Sequence, residues 1–393
     1  MHLSTRCIHG AGPAPDHTGA IAGAIYQTAT FAHPGVGQST GFDYTRTINP
    51  TRSALEATMA SLESGAAAFA FTSGMAAIAT VAELFAPGDH LVVSADVYGG
   101  THRLFADVSA KNGLSFTRAG GAEDIAKAIT PRTAAVFVET PTNPMMHVVD
   151  IEAAARAAHA ANALLIVDNT FLTPYFQRPL ELGADIVVHS ATKYLAGHND
   201  TLAGVVVVRD LTLADRIGAL RATLGAPLAP FDAWLVARGL KTLAVRLERQ
   251  TASAGLLANW LAGHPAVRAV HYPGLPSHPG RAVSLRQASG HGAMISFRVA
   301  DQAAAHRLLA SVRVIQFAES LGGAESLVTY PLTQTHAEVP EAQRRELGID
   351  ETLLRLSVGL EDPRDLVADL EAALAPAPAP APEVAARGAG RAG

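Results

Sequence analysis

The chain has 393 residues, 49% hydrophobic and 17% charged, with a net charge of -5; this is the balance of a compact protein with room for two or three domains, not of a disordered chain. Its basic residues are scattered, which excludes a nucleic-acid-binding stripe, and no apolar segment approaches membrane-spanning length. MHLSTRCIHG lacks the apolar core of a secretory signal, so a cytoplasmic protein is expected, and Cys7, the only cysteine, rules out an internal disulfide and is read as incidental.

From about residue 65 to 210, short apolar runs alternate with helix-like stretches. AAFAF precedes TSGMAAIATVAELF, HLVVSADVY precedes THRLFADVSAKNG, AAVFVE is followed by IEAAARAAHAANA, and ALLIVDN, ADIVVHS and LAGVVVV close the series. Continuous apolar strands separated by amphipathic helices predict an α/β domain with a mostly parallel sheet covered on both faces. Ligands of such sheets gather at the carboxyl ends of the strands. Beyond about residue 235 the pattern changes. TLAVRLERQTASAGLLANWLAGH predicts a long helix, AMISFRV a strand, DQAAAHRLLASV a helix and TLLRLSVGL another strand, together a smaller α+β domain. The expected organisation is an N-terminal arm over 1–43, a large α/β domain over 44–235, a C-terminal α+β domain over 236–375 and a disordered tail over 376–393. The alternating Pro and Ala of that tail cannot bury enough surface to order themselves.

Only four lysines occur, Lys111, Lys127, Lys193 and Lys241, so arginine supplies 26 of the 30 basic residues. Arginine stays protonated and cannot serve as an amine nucleophile, whereas a partly desolvated lysine can lose its proton and form an imine. Lys193 sits in HSATKYLAGHND, directly after a predicted strand. Each of the other strand ends also carries something polar or small: Thr72-Ser73-Gly74-Met75 opening a helix, Tyr98-Gly99-Gly100 at a turn, and Asp168-Asn169-Thr170. Taken singly, these have ordinary readings as a helix cap, a packing tyrosine, turn residues and a loop carboxylate. Together they match the needs of one cofactor, pyridoxal 5'-phosphate. Lys193 would supply the amine, Asp168 would keep the ring nitrogen protonated, Gly74, Met75, Ser190 and Thr192 would hold the phosphate, and Tyr98 would stack on the ring.

The motifs YTRTINPTR (44 to 52), FTSGMAA, DVYGGT, VETPTNP, VDNTF, HSATKYLAGHND, RGLKTL, AESLGGAESL and LLRLSVGLED resemble, in order and up to about residue 373, the Cys/Met-metabolism family of pyridoxal-phosphate enzymes. That family includes the cystathionine synthases and lyases and the O-acylhomoserine sulfhydrylases. The resemblance implies an aminotransferase-like (fold type I) architecture, amino-acid substrates, no metal, and no nucleic-acid or membrane partner. It also implies that Tyr44 and Arg46 reach the cofactor phosphate of a neighbouring subunit, within a homotetramer built from dimers with shared sites. Arg355 is then the grip for the substrate α-carboxylate, Ser320 lies beside it, Asn143 lies near the ring, and Tyr98 can assist proton transfer.

The resemblance also bears on the reaction. Glu319 matches the acidic residue of γ-synthases and γ-lyases, the alternative being a plain surface acid, and Asp43 matches a position that meets the amino group of an incoming cysteine. Thr47 stands where some succinyl-ester γ-synthases carry a second arginine, which points to an acetyl ester. Ala222 and Ile48 depart from the commoner asparagine and glycine-containing forms. The expected activity is cystathionine γ-synthase, with some O-acetylhomoserine sulfhydrylase activity; cystathionine β-lyase and γ-lyase are the alternatives. A nucleotide-dependent oxidoreductase on the same sheet lacks support, since neither G-x-G-x-x-G after a strand nor G-x-x-x-x-G-K-[ST] occurs. A noncatalytic binding protein is disfavoured by the full set of cofactor residues.

Overall fold

The computed structural model describes residues 1–11 and 18–375, so the tail expected over 376–393 lies outside the described residues. Seven strands build the large sheet: β1 Ala67–Phe71, β2 His90–Ser94, β3 Ser115–Ala119, β4 Thr133–Glu139, β5 Leu164–Asp168, β6 Ile186–Ser190 and β7 Gly204–Val208. They lie in the order β1-β7-β6-β5-β4-β2-β3. The pairs β2 with β3, β2 with β4, β4 with β5 and β5 with β6 are parallel, as the βα alternation predicts. β7 runs antiparallel to both β6 and β1. The segment 191–203 between β6 and β7 is turn and loop, without the crossover helix that a parallel return requires, so the chain comes back antiparallel. Two reversals give β1 the direction of β6. The carboxyl ends of β1, β2, β4, β5 and β6 therefore share one edge of the sheet.

Both faces of the sheet are buried, and the period of two decides which core each residue enters. Val136 and Val138 of β4, Leu165 and Val167 of β5, and Val205 and Val207 of β7 join one core. Phe137, Ile166, Val206 and Val208 join the other. The first core is closed by the helices Pro50–Glu63, Ile151–Ala160 and Leu243–Gly263, through residues such as Leu55, Met59, Ala154 and Leu247. The second is closed by Gly74–Ala82 and Leu211–Leu224, through Ile78, Val81 and Ile217. Each fully buried aliphatic side chain stabilises the fold by roughly 1.5–3 kcal/mol, so the two cores fix the strand ends firmly.

The second sheet holds β8 Val267–His271, β9 Met294–Val299, β10 Gln316–Phe317, β11 Leu327–Thr329 and β12 Leu353–Ser357, in the order β10-β11-β12-β9-β8. Apart from the parallel pair β10 and β11, its neighbours are antiparallel. β12 is central, which buries Arg355. The change of pattern expected at residues 235 and 236 falls inside the continuous helix Pro230–Leu240. Residues of β9 and β12 share a core with the large sheet, so the two sheets meet across packed side chains. The helix expected after HLVVSADVY begins as Gly99–Arg103 and continues as a π-helical turn, Leu104–Ser109. Among the described residues no helix is long and apolar enough to cross a membrane.

Candidate active site

A cavity of about 200 Å³ opens where the strand ends converge, and Gly74, Met75, Tyr98, Asp168, Ser190, Thr192, Lys193, Glu319, Ser320 and Arg355 all line it. At one end, Ser73 caps the helix Gly74–Ala82, its Oγ accepting from Ala76 N at 3.0 Å and its carbonyl oxygen from Ala77 N at 3.1 Å. No protein acceptor meets the N–H groups of Gly74 and Met75 among the described residues. Two unpartnered amides at a helix start are suited to an anion. The approach of this helix to β6 demands glycine: a Cβ on Gly74 would stand 2.9 Å from Cβ of Ser190. Thr192 is less free than the sequence implies, because its Oγ1 bonds Ala203 O at 3.2 Å and accepts from Ala203 N at 2.9 Å.

Across the cavity, Lys193 Nζ donates to Ser320 Oγ at 2.8 Å. Burial, with Arg355 adding to it and Glu319 opposing, pushes the Lys193 amine down to about 8. Ser320 holds its place with φ at 82°, a backbone region that non-glycine residues enter rarely. Asp168 ends β5 and is oriented through Oδ1, which accepts from Thr170 N at 3.0 Å and from Thr170 Oγ1 at 2.6 Å. Burial pushes this carboxyl up, while the Thr170 bonds and then His189 oppose the rise. His189 is itself bonded through Nε2 to Glu63 Oε1 at 2.6 Å, and both are fully buried.

Arg355 donates from Nη1 to Asn143 Oδ1 at 2.8 Å, and from Nη2 to Ser320 O and Thr329 Oγ1, each at 3.0 Å. All three partners are neutral, its Nε is unpartnered among the described residues, and burial pushes the guanidinium down to about 10. A buried cation without an acid partner is a ready receptor for a carboxylate. Tyr98 is 42% exposed, with its backbone N held by Glu139 Oε2 at 2.9 Å.

Tyr44, Arg46 and Asp43 are not brought to this cavity by their own chain. Tyr44 is 45% exposed, Arg46 Nη1 donates to Ala222 O at 2.9 Å with its guanidinium 5.5 Å from the Tyr44 ring centre, and Asp43 accepts from Ser39 Oγ at 2.6 Å. Their loop is nonetheless anchored by buried cations: Arg52 Nη2 donates to Thr45 O at 2.7 Å, and Arg221 Nη2 to Thr47 O at 3.0 Å. Arg221 also pairs with Glu56.

Sequence reasoning gave no role to Glu139, Thr170 or the pair Glu63 and His189. Glu139 carried a visible signal, a carboxylate closing an apolar strand just as Asp168 does. Glu63 lies on a helix more than a hundred residues away from His189, so no local pattern joins them. The donor set as a whole fits pyridoxal phosphate. There are unpartnered amides at a helix start, an amine already lowered by burial, and a strand-end aspartate with no protein group bonded to Oδ2 among the described residues.

The family model described as "Cys/Met metabolism PLP-dependent enzyme" matches residues 4–375. A cystathionine gamma-synthase of Haemophilus influenzae is 48% identical over 364 residues, 92% of this chain and 94% of that protein. A cystathionine beta-lyase of Coxiella burnetii is 48% identical over 379 residues, 95% of this chain and 98% of that protein. The solved structure of cystathionine gamma-lyase from Lactobacillus plantarum, complexed with L-serine, is 45% identical with a TM-score of 0.92, covering 95% of this chain and 98% of that one.

Proposed function

The chain belongs to the Cys/Met-metabolism family of pyridoxal-phosphate-dependent enzymes, and from that premise we propose that it is a cystathionine γ-synthase, replacing the γ-acetoxy group of O-acetylhomoserine with cysteine. Pyridoxal phosphate, when bound, supplies an electron sink for bonds at the substrate α-carbon. Asp168 would keep the proton on the ring nitrogen, the amides of Gly74 and Met75 with Ser190 would take the phosphate, joined by Thr192 once its hydroxyl turns from Ala203 O, and Tyr98 would cover the ring. Arg355 orients the substrate by its α-carboxylate. Lys193 Nζ, held beside Ser320, would take the proton from the α-carbon, give it up to the electron sink and, as a neutral amine again, take one from the β-carbon, after which acetate would depart from the γ-carbon. The cysteine thiolate adds there, and Lys193 returns the protons.

The observation that carries the γ reading is Glu319, a carboxylate on the cavity wall next to Ser320 and within electrostatic reach of Lys193. It is suited to the distal ammonium of an incoming amino acid. Relatives with synthase and lyase names stand at equal identity, so product analysis decides. Purified protein given O-acetylhomoserine and cysteine should yield cystathionine and acetate. Pyruvate release from cystathionine with no condensation product would overturn the assignment. The same reading puts Tyr44, Arg46 and Asp43 in the site of a second copy, within a homotetramer of dimers, because their loop is anchored by buried arginines yet lends none of the three to its own cavity.

A further inference from the structure

Glu139 ends β4 as Asp168 ends β5, and the parallel register sets the two residues side by side. The Glu139 carboxylate lines the cavity yet is only 6% exposed. Among the described residues its oxygens bond no basic side chain: Oε2 accepts from Tyr98 N and Oε1 from Asn143 N, both at 2.9 Å. Burying an anion beside a second anion is unfavourable unless something specific is gained, and burial first, then Asp168, push this carboxyl well above the usual range. Two loop amides could be satisfied by carbonyls or hydroxyls without that cost. What a carboxylate adds is two acceptors on one rigid plane, so that two separate loops are fixed relative to each other.

Those loops are not arbitrary. One carries Tyr98, the ring that covers the cofactor. The other carries Asn143, whose Oδ1 accepts from Arg355 Nη1 at 2.8 Å. We propose that Glu139 is a positioning residue, tying Tyr98 and the Asn143–Arg355 carboxylate grip to the strand beside Asp168, so that ring and substrate are held in one frame. The inference rests on the amino-acid chemistry proposed for this site. Its role is indirect, exerted through the Tyr98 and Asn143 N–H groups that it accepts from.

Glu139→Gln tests this while nearly preserving shape: the amide oxygen serves one loop N–H, and the NH2 group opposes the other. The holoenzyme is compared with wild type on whichever substrate wild type turns over, so an error in the reaction assignment does not touch the result. Losing one hydrogen bond to a buried carboxyl oxygen should raise KM about tenfold with kcat held within about threefold. The dissociation constant of glycine, read from cofactor absorbance, should rise in parallel, and the visible circular dichroism of the bound cofactor should weaken. In an Asn143→Ala background the KM penalty of Glu139→Gln should shrink to less than about threefold, because both act on one grip.

Unchanged KM, glycine affinity and dichroism would overturn the proposal, as would fully additive penalties. So would a variant whose only defect is a lowered melting temperature. If Glu139→Gln yields no folded protein, Glu139→Asp, which keeps the carboxyl but withdraws it from both loops, is judged by the same readouts and outcomes. A wild-type chain that binds no pyridoxal phosphate would instead fail the reading of the site itself.

Discussion

An amine with the ordinary lysine pKa is neutral in only about one molecule in three thousand at pH 7, whereas one lowered to about 8 is neutral in about one in ten. Burial therefore raises the reactive fraction of Lys193 some three-hundredfold, by the same desolvation that burdens the fold. The sign follows from proton counting. Between about 8 and the unfolded value near 10.5 the unfolded chain binds more protons than the folded one, so stability rises with pH across that window. Below about 8 the cofactor-free chain carries the full penalty, about 3 kcal/mol. Lys193→Met removes the charge while keeping most of the volume. Cofactor-free Lys193→Met should resist urea better than wild type at pH 7, by up to about 3 kcal/mol less the lost bond to Ser320, and the advantage should fade toward pH 10. An equal or larger advantage at pH 10 would show that burial of the charge is not its source.

Strand ends do the positioning at the next scale, and one of them depends on an absence of side chain. Gly204 begins β7 opposite both Phe71 of β1 and Ser190 of β6, and a Cβ there would collide with the carbonyl oxygen of Ser73. That carbonyl opens the helix whose free amides face the cavity. Gly204→Ala should thus push the helix start away from β6, lowering the melting temperature and weakening pyridoxal phosphate binding about tenfold or more; equilibrium titration of the cofactor-free chain checks it. The strands were legible because both faces of the sheet are buried, leaving apolar runs that stop abruptly at polar residues such as Asp168 and Ser190. The reversal of β7 was not, since GVVVV reads the same in either direction. Glu139 was as visible as Asp168, but the role of a carboxylate depends on which amides reach it, and Tyr98 N arrives from a segment forty-one residues distant. Resemblance, rather than pattern, singled out Arg355: an arginine inside an apolar strand has many ordinary explanations until its neutral partners are seen.

For the whole molecule the loop of Tyr44 and Arg46 poses the sharpest question, because buried arginines, the least natural groups to leave inside a protein, are used to hold it. Arg52 is 1% exposed and Arg221 4%, and both donate to loop carbonyls while sharing Glu56. Burial pushes the Glu56 carboxyl up, and the two arginines pull it back. Such a network is worth keeping if the loop must present fixed groups to something outside its own chain, as the shared-site reading proposed above requires. If sites are shared in this way, two dead variants should rescue each other. Lys193→Ala removes the amine and Arg46→Ala the donated cation. In a dimer of one of each, one site lacks both groups and the other has both intact. Co-expressed at equal levels, half of the dimers are mixed and half of their sites are whole, so about a quarter of wild-type activity should return. Activity no greater than the sum of the two variants purified alone would mean that each chain completes its own site, and that Arg46 serves only its bond to Ala222.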